Sequence, residues 1–307
     1  MNETLQVLKK RRSCRNFKPD MVPEEKLAAI IEAGTYAPTG MGKQSPLIIA
    51  VTNKEVRDKI AEENRKIGGW QEGCIWSALQ GIMGEIYVDD GDSPACGAVV
   101  LGDFMFLAGT PNRELVLWNP LDDGKNSRIL VPENENWDRV IEEACGDRAK
   151  KVIRYAIKKE RDIFDRQKLE KAASDLPDGY AAAVIDEELF YRCMSMEWCR
   201  DGVANYPDYD LYREHGLGVV IVKGEEIVAS CSSYCGFRDG VEIEIDTRMD
   251  ERRKGLAHAC AARYILECLD RGWFPSWDAQ NLMSVGLAKK LGYHFDQEYT
   301  AYEVTFA

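Results

Sequence analysis

The chain has 307 residues, 45% hydrophobic and 30% charged, with a formal net charge of −12. That length supports two domains, each with a core of its own. The acidic balance argues against a nucleic-acid partner, because binding one depends on neutralising its phosphates with surplus Lys and Arg. No apolar run reaches membrane-spanning length, and the start, Met1-Asn2-Glu3-Thr4-Leu5, lacks the basic-then-apolar layout of a signal peptide. A soluble cytoplasmic protein with no membrane partner is therefore expected. The ten cysteines are then expected as buried thiols. Cys193-x5-Cys199 and Cys231-x3-Cys235 are not paired Cys-x2-Cys hooks, and with three histidines no metal site is expected.

Charge is unevenly spread, with 13 Lys+Arg against 9 Asp+Glu in residues 1–67 and 27 against 43 in the rest. The break falls at Gly68-Gly69 and suggests a separate N-terminal piece, 1–67. Within it a short helix is expected over 3–10. A second starts near Pro23, with Leu27, Ile30 and Ile31 on one face and Gly34 near its end. A buried strand follows over Leu47–Val51, then a charged helix over Lys54–Asn64. The motifs Arg11-Arg12-Ser13-x-Arg15-x-Phe17 and Ala37-Pro38-Thr39-Gly40-Met41-Gly42-x-Gln44-x-Pro46 resemble the opening third of the nitroreductase family of FMN enzymes. The resemblance implies that the basic motif grips the flavin phosphate and that the Pro-Thr loop lies against the cofactor, roles that arginine forks and a Gly-rich loop suit. Gly42 stands where that family commonly has Asn, and the likeness stops near residue 66. The parts that complete the family's pocket and dimer have no visible counterpart. Residues 1–67 are therefore read as a small α/β appendage of docking or relic type, and FMN is not the expected cofactor. The alternative is an FMN-dependent nitroreductase-like oxidoreductase.

Residues 68–176 read as a mostly β region with helical interruptions. Glu85–Val88, Ala95–Leu101, Phe104–Leu107 and Leu115–Leu117 are short apolar runs between Asp, Gly and Pro turns. Trp137–Cys145 and Asp165–Ala173 look helical. Gly102 to Gly109 has its phenylalanines at even spacing, which reads as a core strand rather than a phosphate loop. This α+β half is expected to serve as scaffold and as one wall of a substrate cleft. Leu176-Pro177-Asp178-Gly179-Tyr180 is a turn sequence that opens the last part, 177–307.

That part expects a helix closing at Leu211–His215, then strands over Leu217–Val222 and Ile227–Cys235 joined by the Lys223–Glu226 turn. A third strand alternates Val241, Ile243 and Ile245 with Glu242, Glu244 and Asp246. Next comes Arg252-Arg253-Lys254-Gly255-Leu256-Ala257 and a helix with Leu256, Cys260, Ile265, Cys268 and Leu269 near one face, stopped by Gly272. Backbone N–H groups converging on a helix start attract an anion, and Gly255 and Ala257 let a pyrophosphate approach. A short apolar segment, Trp273–Trp277, then leads to Asn281-x-x-Ser284-x-x-Leu287-Ala288-Lys289-Lys290-Leu291-Gly292-Tyr293.

The pair Arg252-x-x-Gly255-x-Ala257 and Asn281 to Tyr293 resembles the two signatures of the GNAT superfamily of N-acetyltransferases, in the same order. Residues 68–307 more loosely resemble the larger relatives that include the zwittermicin A resistance acetyltransferases, in which a degenerate half precedes the catalytic one. The resemblance implies an α/β GNAT acyl-CoA fold, with acetyl-CoA as co-substrate wedged between two parallel strands that splay apart. It implies that backbone groups of Ile245, Asp246 and Thr247 pair with the pantetheine arm and that amides of Arg253, Lys254, Gly255, Leu256 and Ala257 hold the pyrophosphate. Arg252, Arg253 and Lys254 would face the 3′-phosphate, or simply be solvated. Asn281 would orient the pantetheine or only cap its helix, with Ser284 near the sulfur.

An alkyl amine, of pKa roughly 10, must lose a proton to attack a thioester, so a base is needed. Glu242 and Glu244 share a strand face and are the candidates, with Glu242 slightly favoured; the alternative is a solvent-facing pair. An amide near Ile245 would hold the oxyanion. Ala288 replaces the tyrosine that in this family protonates the leaving thiolate. Tyr293, Tyr299, Tyr302, Tyr234 or His258 could substitute, and Cys231 or Cys235 is a conceivable nucleophile. The expectation is an acetyl-CoA-dependent N-acetyltransferase of a small amine, the acidic surface suiting a cationic one. A non-catalytic acetyl-CoA-binding module is the other alternative. Oligomeric state is not legible.

Overall fold

The computed structural model describes residue 26 and residues 72–91, 93–119 and 126–306. The chain divides into two units, 1–68 and 69–307. The helices and strand expected before residue 67, and the motifs that resemble a flavin site, lie outside the described residues.

The larger unit is an α/β structure built on two sheets. Its first strands are β1 (Glu85–Val88), β2 (Cys96–Leu101), β3 (Phe104–Gly109), β4 (Ser127–Pro132) and β5 (Ala149–Ile157). Next come β6 (Tyr180–Val184), β7 (Gly218–Lys223), β8 (Glu226–Phe237), β9 (Gly240–Thr247), β10 (Phe274–Ser276), β11 (Asp278–Ala279) and β12 (Phe295–Thr305). One sheet has the order β1-β2-β3-β4-β12-β5-β11 and the other β10-β9-β8-β7-β6. Pairings are antiparallel except β3 with β4 and β9 with β10, which are parallel. The helices are α1 (Gly73–Leu79), α2 (Arg113–Leu117), α3 (Glu135–Cys145), α4 (Arg166–Ser174), α5 (Glu187–Met194), α6 (Tyr209–His215), α7 (Leu256–Asp270) and α8 (Leu282–Lys290).

The helices begin where the sequence supplies an oxygen to cap them. Asn134, Asp165, Asp186, Asp208 and Asn281 each accept a backbone N–H of the following turn. In α3, Trp137, Ile141, Ala144 and Cys145 are buried, the i, i+4, i+7, i+8 stripe of an amphipathic helix. Leu115–Leu117, read from sequence as a short apolar run in a mostly β region, instead ends helix α2. The reason is Asn112, whose side chain accepts from the Glu114 and Leu115 amides and starts a helical turn before a strand can form.

The last part of the chain follows its sequence pattern closely. Val219, Ile221, Cys231, Val241 and Ile243 form one core with Cys260, Ala261, Tyr264 and Ile265 of α7. Burial of each large aliphatic side chain in it contributes roughly 1.5–3 kcal/mol. Ala259, Ala261 and Ala262 keep α7 slim against the sheet, and Gly272, at φ +70°, ends the turn beyond it. The final strand was not evident in sequence: β12 leaves the region of α8 and inserts between β4 and β5 of the first sheet. The sheet of residues 85–157 is therefore completed by residues 278–305. Among the described residues no helix is long and apolar enough to cross a membrane.

Candidate active site

β9 and β10 run parallel from Gly240 and Phe274 to Glu242 and Ser276, and there the pairing stops. β9 continues to Thr247, while β11 pairs with β5 instead, Asp278 opposite Ala156 and Ala279 opposite Tyr155. The strands thus fork. The Arg248 N–H bonds the Val228 carbonyl of β8 at 3.0 Å. By the two-residue alternation of a strand, Asp246 also turns its backbone toward β8, whereas Ile245 and Thr247 present N–H and C=O at the open edge. Arg252 Nε donates to the Thr247 carbonyl at 3.1 Å, and Thr247 Oγ1 is buried without a partner among the described residues.

The fork opens into a cleft of about 920 Å³, the size of a small-molecule site. Ile243 to Thr247, the loop Glu251–Arg253 and Gly255–His258, and Gln280, Asn281, Met283, Ser284 and Leu287 line one side. Asp103, Phe104, Ile129 and Arg154 of the first sheet line the other.

Glu251 anchors the loop. Its buried carboxylate accepts from Tyr180 Oη and Lys254 Nζ, each at 2.5 Å, and from Lys223 Nζ at 3.1 Å. These bonds, Lys254 first, hold its pKa at about 2. Lys254 is thereby committed to Glu251 and is absent from the cleft wall, while Arg252 reaches back to Thr247. Arg253 is exposed, lines the cleft and has no side-chain partner among the described residues. Arg253 at φ +67° and Gly255 at φ +81° give the loop the alternating backbone in which successive N–H groups converge. Gly255 is the N-cap of the 15-residue helix α7 with no side-chain cap, so the first amides of α7 have no partner on the preceding turn. A Cβ on Gly255 would touch nothing within 4 Å, which leaves that space open to a bulky anion.

The two glutamates on β9 meet different surroundings. Glu242 is 6% exposed and lies outside the cleft, on the closed side of the fork. Its Oε2 accepts the Gly73 N–H at 3.2 Å and its Oε1 is 4.0 Å from Lys159 Nζ. Glu244 lies in the cleft wall, and among the described residues no basic side chain pairs with it. Burial, with Asp246 and Asp201 adding repulsion against a weaker pull from Arg154, pushes its carboxyl up to about 8. Asp246 is pushed up to about 6 by burial and Asp201. Asp201 and Trp198 also line the cleft; in sequence they sit in an unremarkable turn between α5 and α6.

Asn281 Oδ1 caps α8 through the Ser284 N–H at 3.0 Å, and Ser284 Oγ accepts from Trp277 Nε1 at 3.0 Å. Both residues line the cleft. Ala288 is buried in the core. Of its suggested substitutes, Tyr293 donates to the Pro275 carbonyl, Tyr302 to Glu142 and Tyr299 to Asp278. Tyr234 and His258 line the cleft. Tyr234 Oη is occupied between the Asp103 N–H and the Leu101 carbonyl. Cys231 and Cys235 are buried free thiols, and burial pushes the Cys231 thiol up, away from nucleophilic use. No group of His, Cys, Asp and Glu among the described residues could hold a metal ion.

A forked parallel pair with an uncapped helix start at its mouth is matched by the comparison with known families: the sequence model of the GNAT acetyltransferase family covers residues 64–302. The chain belongs to the GNAT acetyltransferase family. It is 28% identical over 242 residues to the uncharacterized N-acetyltransferase YdfB of Bacillus subtilis, covering 74% of this chain and 88% of the relative. It is 46% identical to a GCN5-related N-acetyltransferase-like protein of Streptococcus suis known from a crystal structure, with a TM-score of 0.75 over 80% of this chain and 98% of that one. The model of the Nitroreductase family matches residues 8–68. The GNAT fold and acyltransferase class are thus those of the larger unit.

Proposed function

We propose that the protein transfers the acetyl group of acetyl-CoA to a small cationic amine, by direct attack of the amine on the thioester. The fork carries this reading: an open strand edge, an uncapped α7 and a vacant space beside Gly255 lie along one cleft. The open edge at Ile245 and Thr247 suits the amides of a pantetheine arm, with Asp246 contributing its position rather than its backbone groups. The amides of Arg253, Lys254, Gly255, Leu256 and Ala257 suit a pyrophosphate, and Arg252 and Arg253 offer charge to the phosphates beyond it. Asn281 and Ser284, at the start of α8 in the same cleft, suit the region of the sulfur.

Glu244 is the base in this reading. A carboxyl poised at about 8 accepts a proton from an ammonium far better than an ordinary glutamate does. The neutral amine then attacks the carbonyl carbon, and the Ile245 N–H stabilises the oxyanion. The C–S bond breaks, and the remaining extra proton on nitrogen passes to the departing thiolate, which leaves as the CoA thiol. A thiol of pKa roughly 8.5 needs no strong acid to depart, so Ala288 does not block transfer. Asp201, Asp246 and Glu244 beside Trp198 and Phe104 favour an acceptor that is cationic. The likeness to the zwittermicin A resistance type points the same way, toward an aminated compound.

In this reading residues 177–307 are the catalytic half, 68–176 the degenerate half that walls the cleft, and 1–67 an appended segment. The nitroreductase match ends at residue 68, before the parts that complete that family's pocket. A sensor that binds acetyl-CoA without transfer is the second reading, favoured only by Ala288. Titration calorimetry with acetyl-CoA tests the proposal. Saturable binding at one per chain is expected, and absence of binding sinks both readings. Acetylation across a panel of amines then separates the enzyme from the sensor.

A further inference from the structure

The first sheet contributes more than a wall. Lys159, just past the end of β5, is buried to 6% side-chain exposure at the point where β9 and β10 part. Its Nζ donates to Ser276 Oγ at 2.9 Å and to the Trp277 carbonyl at 3.1 Å. Ser276 is the last residue of β10 paired with β9, and Trp277 carries the first carbonyl beyond the split. Glu72 Oε2 lies at 3.4 Å and Glu242 Oε1 at 4.0 Å, both carboxylates nearly as buried as the lysine. Among the described residues Glu242 Oε1 has no hydrogen-bond partner, and the Lys159 ammonium is the nearest cation to it. Burial pushes the Glu72 carboxyl up to about 8, against the pull of Lys159. One residue further, Arg154 grips Asp278 Oδ1 through Nε at 2.8 Å and Nη2 at 2.6 Å. The departing strand therefore leaves β9 because its next groups have cationic partners on the first sheet.

We propose that Lys159 is a positioning residue of the acyl slot, holding the fork open from the half that precedes the catalytic one, with Glu242 as its counter-ion. This rests on the acetyl-CoA reading of the cleft. Without the ammonium, the Trp277 carbonyl is free to drift back toward β9 and the buried Glu242 carboxyl loses the cation beside it. The slot narrows, while the amine side of the cleft at Asp201 and Glu244 keeps its walls.

The test is calorimetry with CoA, and steady-state kinetics, on the full-length wild type, Lys159→Met, Lys159→Arg and Glu242→Gln. Lys159→Met is expected to weaken CoA binding and raise the KM for acetyl-CoA by about tenfold or more, equivalent to about 1.4 kcal/mol. The KM for the amine and the pH profile stay as in the wild type, and Lys159→Arg recovers part of the loss. Glu242→Gln raises the acetyl-CoA KM by a smaller factor without moving the pH profile. If Lys159→Met does not fold, Lys159→Arg and Glu242→Gln decide alone. Folded variants that bind CoA as tightly as a CoA-binding wild type overturn the positioning role and leave the proposed function standing. A displaced pH profile in Glu242→Gln would make Glu242 the base and overturn it as well. A wild type that binds no CoA removes the proposed function itself.

Discussion

The closed and open ends of the fork are two residues apart on one strand, yet they treat the same side chain in opposite ways. At the closed end Glu242 receives a backbone N–H and faces a buried ammonium. At the open end Glu244 faces Asp246 and Asp201, and its carboxyl is pushed up to about 8. The difference comes from what packs on each: α1 and the Lys159 segment cover the first, and a cleft adjoins the second. Sharing a strand face does not give two carboxylates one role. A carboxylate matched by a cation is a structural element, and one left without a match is available to take a proton.

Substitution at each end breaks this comparison if it is mistaken. Glu244→Gln is expected to lower kcat by about 100-fold or more, while Glu242→Gln keeps kcat within about threefold by the same amine-acetylation assay. Equal losses would remove the distinction between the ends. Stability sharpens it. The Glu244 carboxyl holds its proton up to about 8 when folded and has a reference value of 4.5. Folding therefore loses stability as pH rises through that window, and Glu244→Gln removes the slope. The variant should melt about 5 °C or more above wild type at pH 8.5, with the two converging near pH 5, as followed by calorimetry. At the mouth of the open end, Gly255→Val forces a β-branched residue to φ +81°, a cost of roughly 1–2 kcal/mol. About a tenfold rise in acetyl-CoA KM is expected, with amine KM unchanged. Smallest is Asn281→Ala, which removes the α8 cap and should cost about 1 kcal/mol in denaturant unfolding.

The open end was far more legible in the sequence than the closed one. Alternation from Val241 to Asp246, the Gly255 loop and the stripe on α7 are local patterns, and each formed the element its period implied. Asn281 and Ser284 fell on the cleft because their helix follows the fork directly. Glu242 and Glu244, by contrast, are indistinguishable by local pattern. What separates them comes from Gly73, Lys159 and Asp201, far away in the chain. Lys159 lies in the run Lys158-Lys159-Glu160-Arg161, which reads as solvated charge, and nothing local marks it for burial. The path of β12 back between β4 and β5 was hidden for the same reason, since strand partners are chosen by tertiary packing rather than by strand composition. Leu115–Leu117 shows the converse case, where a single cap residue outweighs an apolar run.

In the proposed mechanism the unbalanced carboxylate at the open end takes the proton of the acceptor amine. The direct measurement is the pH dependence of kcat/KM for acetylation, in the wild type and in Glu244→Gln. The rate should rise with pH to a break near 8, where Glu244 becomes a free base, and the variant should be slow with that break gone. A variant that keeps the wild-type rate and the same break would contradict it.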